Sequence, residues 1–287
     1  MRKLTLVICC LLLLCGCHKQ VSATQVVATT LPAYEFTKHL CSGTGIQVTQ
    51  LITENVSCLH DYTLKTSQMQ AVESAQAVVI SGAGLEDFLE DILIQDKEID
   101  ASLGVDLLHE VCEHDHDHTH SHENDPHIWL SPVNAKIMAS NICNGLSQVF
   151  PQHKEAFTAN LMTLHADLDR LQAYGEECLK SLSCRKLVTF HDGFAYFAQA
   201  FDLEVLKAVE EEAGSETTAS ELIEIIGLIR QQQLPAIFTE SNGSTAAATI
   251  IARETGVKTY TLDMGMAGES YFDAMYRNID VMKEALG

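Results

Sequence analysis

Residues 151–182 read PQHKEAFTANLMTLHADLDRLQAYGEECLKSL, and this stretch contains no proline after Pro151. Leucines recur in this stretch at the three- and four-residue spacing of one helical face, at Leu161, Leu164, Leu168 and Leu171. Pro151 suits the first turn of a helix, where its missing N–H has no intrahelical role. At 1.5 Å per residue such a helix is about 48 Å long. The sequence therefore predicts one long linker helix over 151–182, which can act as a strut.

Short β-branched runs alternate with helix-favouring sequence on both sides of this helix. Three runs precede it and three follow it, at 25–30, 46–52, 77–81, 186–190, 236–240 and 258–263. Such alternation is typical of parallel sheets, and 287 residues exceed the usual single core. We predict an α/β fold of two lobes (18–150 and 183–287), each with a parallel β-sheet flanked by helices, bridged by one long rigid α-helix.

Residues 1–17 have the pattern of an export signal. Arg2 and Lys3 precede an apolar stretch at 4–14 that is shorter than the about 20 residues needed to span a bilayer. Leu14-Cys15-Gly16-Cys17 resembles a bacterial lipobox. We therefore expect an extracytoplasmic protein that a lipidated Cys17 anchors to the bacterial cell membrane. An ordinary cleaved signal that leaves a free protein is the alternative.

Acidic side chains greatly outnumber basic ones. The chain has 39 Asp and Glu against 18 Lys and Arg, and removal of Arg2 and Lys3 leaves 16 − 39 = −23. This charge repels phosphate backbones, so we expect no nucleic-acid partner. It also concentrates cations near the surface, although solubility alone is served by the same charge.

Residues 113–127 read EHDHDHTHSHENDPH. Five imidazoles of this stretch alternate with acidic and hydroxyl side chains, at His114, His116, His118, His120 and His122. Imidazole is a good ligand for zinc, copper, nickel and iron. The sequence predicts a solvated loop at 113–124 that binds metal as an auxiliary site, with a disordered surface tract as the alternative. The loop leads into DPHIWLSP at 125–132, which contains the only tryptophan.

Four further residues are candidates for one metal site. His60 follows the run at 46–52, His127 ends the histidine-rich stretch, His191 directly follows the run at 186–190, and Asp263 ends the run at 258–263. Two come from each predicted lobe, and ligands of open α/β sheets bind beyond the carboxyl ends of strands, so they can converge only across an interlobe cleft. Three imidazoles and one carboxylate suit tetrahedral zinc, with bonds of about 2.0 to 2.2 Å.

Each candidate also has a purely structural interpretation. A histidine beside a strand is commonly a hydrogen-bonded structural residue, and Asp263 could be a helix N-cap. Asp125 and Ser131 could be turn or capping residues, and Trp129 a core residue. Glu240, which ends the run at 236–240, is a rival carboxylate ligand.

Six cysteines remain after export if Cys17 carries lipid: Cys41, Cys58, Cys112, Cys143, Cys178 and Cys184. An even number outside the cytoplasm permits disulfides. The pairs adjacent in sequence are Cys178 with Cys184 and Cys41 with Cys58, and the sequence does not choose among the pairings.

Several motifs together resemble one protein family. They are, in order, His60-Asp61-Tyr62 with Ser67-Gln68, VVISGAGLE at 78–86, the histidine-rich loop with DPHIWLSP, FHDGFAYF at 190–197, Phe238-Thr239-Glu240, Leu262-Asp263 and the segment 271–278. This series resembles the zinc/manganese solute-binding proteins of ABC transporters (metal-binding cluster A-I) over essentially the whole mature chain. Leu59, Leu64 and Lys65 depart from the usual proline and Glu-Pro, which affects the expected local loop shape.

The resemblance implies two α/β lobes, one metal in the cleft and delivery to a membrane permease by a monomer. His60, His127, His191 and Asp263 occupy the matching ligand positions. The manganese binders of that family usually have a carboxylate where His191 stands and lack the long histidine loop, so we expect Zn²⁺ and not Mn²⁺ as the transported ion.

Two other classes of protein are alternatives. A zinc-dependent hydrolase needs an open coordination position and a general base; no HExxH motif occurs, and a fourth ligand at Asp263 would close the site. We therefore expect no enzymatic activity. A surface adhesin or zinc-buffering protein could use the same fold without a transporter.

Overall fold

The computed structural model describes residues 26–54, 56, 59, 62–109, 124–210, 217–240, 245–268 and 270–287. Cys17, Cys58, Cys112, His60 and the auxiliary histidines at 114–122 lie outside these residues. None of the helices in the described ranges is both long enough and apolar enough to cross a membrane.

The N-terminal lobe contains a four-stranded parallel sheet with the strand order β2-β1-β3-β4. Its strands are β1 (Val26–Ala28), β2 (Val48–Gln50), β3 (Ala77–Ile80) and β4 (Glu98–Asp100). Its helices are α1 (Leu31–Leu40), α2 (Thr66–Ser74) and α3 (Pro132–Val149). Short 3₁₀ turns lie at Asp87–Leu89, Gln95–Lys97 and Ile128–Leu130.

The C-terminal lobe repeats this arrangement with the strand order β6-β5-β7-β8, again parallel. Its strands are β5 (Lys186–His191), β6 (Glu204–Glu210), β7 (Ala236–Glu240) and β8 (Lys258–Leu262). Its helices are α5 (Ala195–Ala200), α6 (Ala219–Gln232), α7 (Thr245–Thr255) and α8 (Tyr271–Leu286). The predicted fold class is thus confirmed: two parallel sheets flanked by helices.

The sequence prediction includes three strands in each lobe and lacks β4 and β6. Both are edge strands of their sheets. β4 has only three residues, two of them acidic, and β6 pairs with β5 through a shift in register. Edge strands of this composition lack the apolar run by which a buried strand is recognised.

The long linker helix is α4 (Lys154–Leu179), preceded by a 3₁₀ turn at Pro151–His153. It is therefore shorter at both ends than the predicted 151–182, and its 26 residues extend for about 39 Å. Leu164, Leu168 and Leu171 are buried, as their spacing predicts, while Leu161 is half-buried. The helix packs against α1 and α3 of the N-terminal lobe and against α8 of the C-terminal lobe, so it joins both lobes.

The boundary between the lobes is closed by apolar packing and by directional hydrogen bonds. A hydrophobic cluster continues from the N-terminal sheet through Trp129 and α4 to Tyr271 in the C-terminal lobe. The Trp129 indole donates to the Met264 carbonyl (2.8 Å), and the Tyr271 hydroxyl donates to the Trp129 carbonyl (2.8 Å). Glu35 of α1 accepts from the Tyr271 backbone N–H (2.6 Å) at the start of α8. The cleft side of the lobes is therefore held in a defined geometry.

Cys41, Cys143, Cys178 and Cys184 are free thiols in this structure, so the sequence-adjacent pair Cys178–Cys184 is not formed. The Cys184 thiol instead lies 3.6 Å from the Lys186 carbonyl oxygen. Cys41 is buried, and Cys58, the candidate partner adjacent to it in sequence, lies outside the described residues.

Candidate metal-binding site

Two of the predicted ligands meet across the lobe boundary. His127 precedes the turn at Ile128–Leu130 in the N-terminal lobe, and His191 is the last residue of β5. Their Nε2 atoms lie 3.3 Å apart, with the ring planes perpendicular. Each residue is only 5% exposed. Two buried imidazoles thus present their Nε2 atoms to the same point between the lobes.

Asp125 fixes the orientation of His127. Its Oδ1 atom accepts hydrogen bonds from the His127 backbone N–H (2.9 Å) and from the His127 Nδ1 (2.8 Å). A carboxylate acceptor at Nδ1 keeps the proton on that nitrogen, so the lone pair of a neutral ring is left on Nε2. This is the tautomer that a metal-binding Nε2 requires.

His191 has a carboxylate on the corresponding side of its ring. Strands β5 and β7 are neighbours, so Glu240 at the end of β7 lies beside His191 at the end of β5. Glu240 is buried, and its Oε1 atom is 4.0 Å from His191 Nδ1. This distance exceeds that of a hydrogen bond, so Glu240 lies near the His191 ring without the direct contact that Asp125 makes with His127.

The separation of the two Nε2 atoms has a direct geometric meaning. With Zn–N bonds of about 2.0 to 2.1 Å, two nitrogens of a tetrahedral site lie about 3.3 to 3.4 Å apart. A hydrogen bond from one Nε2–H to the other Nε2 also fits the observed 3.3 Å. The pair can accordingly share either a proton or a metal ion without a change in the nitrogen positions.

Gly193 forms one wall of this pair. A Cβ at this position would lie 2.9 Å from His191 Cδ2, 3.1 Å from His127 Nδ1 and 2.6 Å from the Met264 methyl carbon. The two rings and the Met264 methyl therefore occupy the volume that any larger residue would need.

Asp263 follows β8 and has partners of its own. Its Oδ1 accepts from the Gly265 N–H (2.8 Å) and its Oδ2 from the Arg277 guanidinium (2.8 Å). The Asn278 side chain bonds both the backbone N–H and the carbonyl oxygen of Asp263. Asp263 does not cap α8, whose N-cap is Ser270, so the capping interpretation is wrong.

The full four-ligand set remains a prediction. Within the ranges that the structure describes, no three His, Cys, Asp or Glu side chains converge in a metal-binding group. His60 lies outside those ranges, as do His114, His116, His118, His120 and His122. What the structure brings together is the pair His127 and His191.

The sequence suggested Asp125 as a turn or capping residue and did not single out Gly193, Tyr196 or Arg277. The Asp-Pro-His order could have indicated the contact between Asp125 and His127, because an Asp side chain readily accepts a hydrogen bond from the backbone N–H two residues later. Nothing in the sequence pairs position 263 with position 277.

The chain belongs to the family of zinc-uptake complex component A, periplasmic (ZnuA), whose model matches residues 26–285. This confirms the resemblance to zinc solute-binding proteins. The zinc-binding lipoprotein AdcA of Streptococcus pneumoniae is 30% identical over 307 residues, covering 99% of this chain and 61% of AdcA. The chain thus spans about three-fifths of that relative. A putative metal-binding protein of Treponema pallidum is 26% identical, covering 88% of this chain and 84% of its own.

Solved structures give the same picture. A crystal structure of ZnuA superposes with a TM-score of 0.79 at 26% identity, covering 92% of this chain and 100% of its own. The Zn(II)-bound ZnuA-like domain of AdcA from Streptococcus pneumoniae superposes with a TM-score of 0.76 at 27% identity, covering 92% and 98%.

Proposed function

We propose that this chain is an extracytoplasmic zinc-binding protein that captures Zn²⁺ in the interlobe cleft and delivers it to an ABC importer permease. The observation that supports this most strongly is the 3.3 Å separation of His127 Nε2 and His191 Nε2 between two oriented, buried imidazoles. The zinc ion is the cargo, so the site holds and releases it without covalent chemistry, and the protein is not an enzyme.

In this proposal His127 and His191 are two of four ligands, and His60 and Asp263 are the others. Asp125 and Glu240 act behind the two imidazoles as carboxylates on their Nδ1 sides. A carboxylate offers about four lone-pair directions, so Asp263 can bind a metal while it still accepts hydrogen bonds. A nitrogen-rich set favours zinc over the harder Mn²⁺.

The proposed location is the outer face of the cell membrane, with lipidated Cys17 as the anchor. The family name includes the word periplasmic, and the pneumococcal relative is named a lipoprotein. The protein acts as a monomer of two lobes (18–150 and 183–287) with the linker segment 151–182, which contains α4, between them.

The histidine-rich stretch at 113–124 is proposed as an auxiliary collector. Several weak imidazole sites on one chain raise the effective concentration of zinc near the cleft. The tight site and these weak sites are separable in this proposal.

Zinc titration in competition with a chromophoric chelator tests whether the cleft and the histidine-rich stretch bind zinc independently. The tag-free protein without residues 1–17 is compared with a variant that also lacks 113–123. We expect one tight site in both proteins and weaker sites only in the parent. Loss of the tight site on deletion would overturn the separation of cleft and collector.

Delivery to a permease is tested in the source bacterium. Deletion of the gene should slow growth in zinc-depleted medium, and zinc supplementation should restore it. The His191→Ala gene should fail to replace the parent gene, while His165→Ala should succeed, because His165 bonds Ser140 and the Lys136 carbonyl on α3. Full growth of the His191→Ala strain would contradict the proposal.

A further inference from the structure

The hydroxyl of Tyr196 makes two hydrogen bonds, to residues that are also bonded to each other. Tyr196 belongs to α5 of the C-terminal lobe and is fully buried. Its oxygen accepts from the Leu108 N–H (2.9 Å) and its proton goes to the Asp125 carbonyl (3.0 Å). The Asp125 N–H in turn donates to the Leu108 carbonyl (2.8 Å). One side chain of the C-terminal lobe thus ties together two N-terminal-lobe residues that are distant in sequence.

These bonds fix the residue that orients His127. Asp125 is held at its backbone N–H by Leu108 and at its carbonyl by Tyr196, and it is 5% exposed. Its side chain then holds the ring and the backbone N–H of His127. A continuous chain of contacts therefore leads from Tyr196 through Asp125 to the proposed zinc ligand.

We propose that Tyr196 is a positioning residue for the metal site, acting through Asp125 to keep His127 in the tautomer whose Nε2 carries no proton. The consequence for zinc binding rests on the function proposed above. The tautomer itself is a property of the metal-free protein and is tested separately.

The hydroxyl, rather than the ring, has this role. Neighbouring positions 194, 197 and 201 are buried phenylalanines, so a phenylalanine ring would be enough for apolar packing at position 196. A buried hydroxyl costs free energy unless it is hydrogen-bonded, and this one both donates and accepts. Burial raises the pKa of Tyr196 to about 12, so the hydroxyl keeps its proton and can do both at once.

The substitution Tyr196→Phe separates the two parts of the side chain. The ring remains, while the Leu108 N–H and the Asp125 carbonyl each lose a partner. Loss of a group that orients a metal ligand typically lowers metal affinity about 10- to 100-fold. Because Tyr196 acts one step further away, we expect about a tenfold weaker zinc affinity in the cleft.

The direct readout is the tautomer of His127 in the metal-free protein, measured from the ¹⁵N chemical shifts of its ring. The parent should show one tautomer with the proton on Nδ1, and Tyr196→Phe should show a mixture. The control is Tyr271→Phe, which also removes a buried hydroxyl bond between the lobes but has no contact with Asp125. It should lose similar stability and keep the single tautomer of the parent.

Zinc affinity completes the test. In an Asp125→Ala background, Tyr196→Phe should have no further effect on zinc affinity, because the carboxylate through which Tyr196 acts on His127 is already absent. If the parent binds zinc tightly but Tyr196→Phe changes neither tautomer nor affinity, the positioning role is overturned and the proposed function stands. If the parent binds no zinc in the cleft, the proposed function fails, and the tautomer comparison still decides the role of Tyr196.

Discussion

Gly193→Ala is the smallest change that should damage the site while leaving the fold intact. The backbone of Gly193 is not in the left-handed region, so alanine can adopt it. The added methyl would lie 2.9 Å from His191 Cδ2 and 3.1 Å from His127 Nδ1, where ordinary contacts begin at 3.4 Å. Both rings must therefore move by a few tenths of an ångström, while the flexible Met264 methyl can turn away.

These displacements exceed what a zinc site tolerates. Metal–ligand distances in proteins are held to within about 0.2 Å, and His127 cannot follow freely because Asp125 holds it. We expect at least about a tenfold loss of zinc affinity, of the size seen when a ligand is misoriented. The cost in unfolding free energy should be about 1 to 3 kcal/mol, as for other overpacked positions.

The assay uses the single tryptophan. The Trp129 ring lies 5.5 Å from the His127 ring, so its fluorescence should report zinc in the cleft during titration against a chelator. The matched control is Gly145→Ala in α3, whose methyl would lie 2.6 to 2.9 Å from the Ile99 side chain and away from both histidines. Gly145→Ala should lose stability and keep zinc affinity. Parent-like zinc affinity in Gly193→Ala would show that zinc binding does not depend on the close contact of Gly193 with the two rings.

Three further predictions concern charged groups. Burial raises the pKa of Glu86 to about 7 from an ordinary 4.5, so the folded chain holds a proton that the unfolded chain releases between these values. The unfolding free energy of the parent should therefore fall by about 3 kcal/mol as the pH rises from 4.5 to 7, and that of Glu86→Gln should not. Urea unfolding measures both proteins. Equal dependence on pH in the two proteins would contradict the prediction. Arg277→Gln should strengthen zinc binding severalfold at low salt and less at high salt, because the Arg277 guanidinium binds Asp263 and repels the zinc ion. Calorimetry measures the affinity. Weaker binding by Arg277→Gln would show that Arg277 instead orients the Asp263 carboxylate. Glu35→Ala should lower the unfolding free energy by about 1 kcal/mol, because the Tyr271 N–H at the start of α8 loses its acceptor; unchanged urea unfolding would mean that Ser270 caps α8 without help.

The elements with strong periodicity were predictable from the sequence. The leucine spacing indicated the long helix α4, and the β-branched runs indicated the four central strands and the edge strands β2 and β8. Because neighbouring strands of a parallel sheet end at one edge, the residues at their carboxyl ends could be expected to lie near each other, as His191 and Glu240 do.

Contacts between distant segments were not predictable in this way. Arg277 reaches Asp263 only because α8 packs beside β8, and Tyr196 reaches Asp125 only because the two lobes close on each other. No local pattern encodes either contact. The edge strands β4 and β6 were missed for the related reason that their stability comes from pairing with a neighbour rather than from a buried apolar run.

The most direct test of the central claim is the zinc content of tag-free protein that lacks residues 1–17 and 113–123, measured by inductively coupled plasma mass spectrometry after dialysis. The parent is compared with His127→Ala, His191→Ala and the control His165→Ala. We expect one zinc per chain in the parent and in His165→Ala, and none in His127→Ala or His191→Ala. One zinc retained in either cleft variant would contradict a site shared by the two lobes.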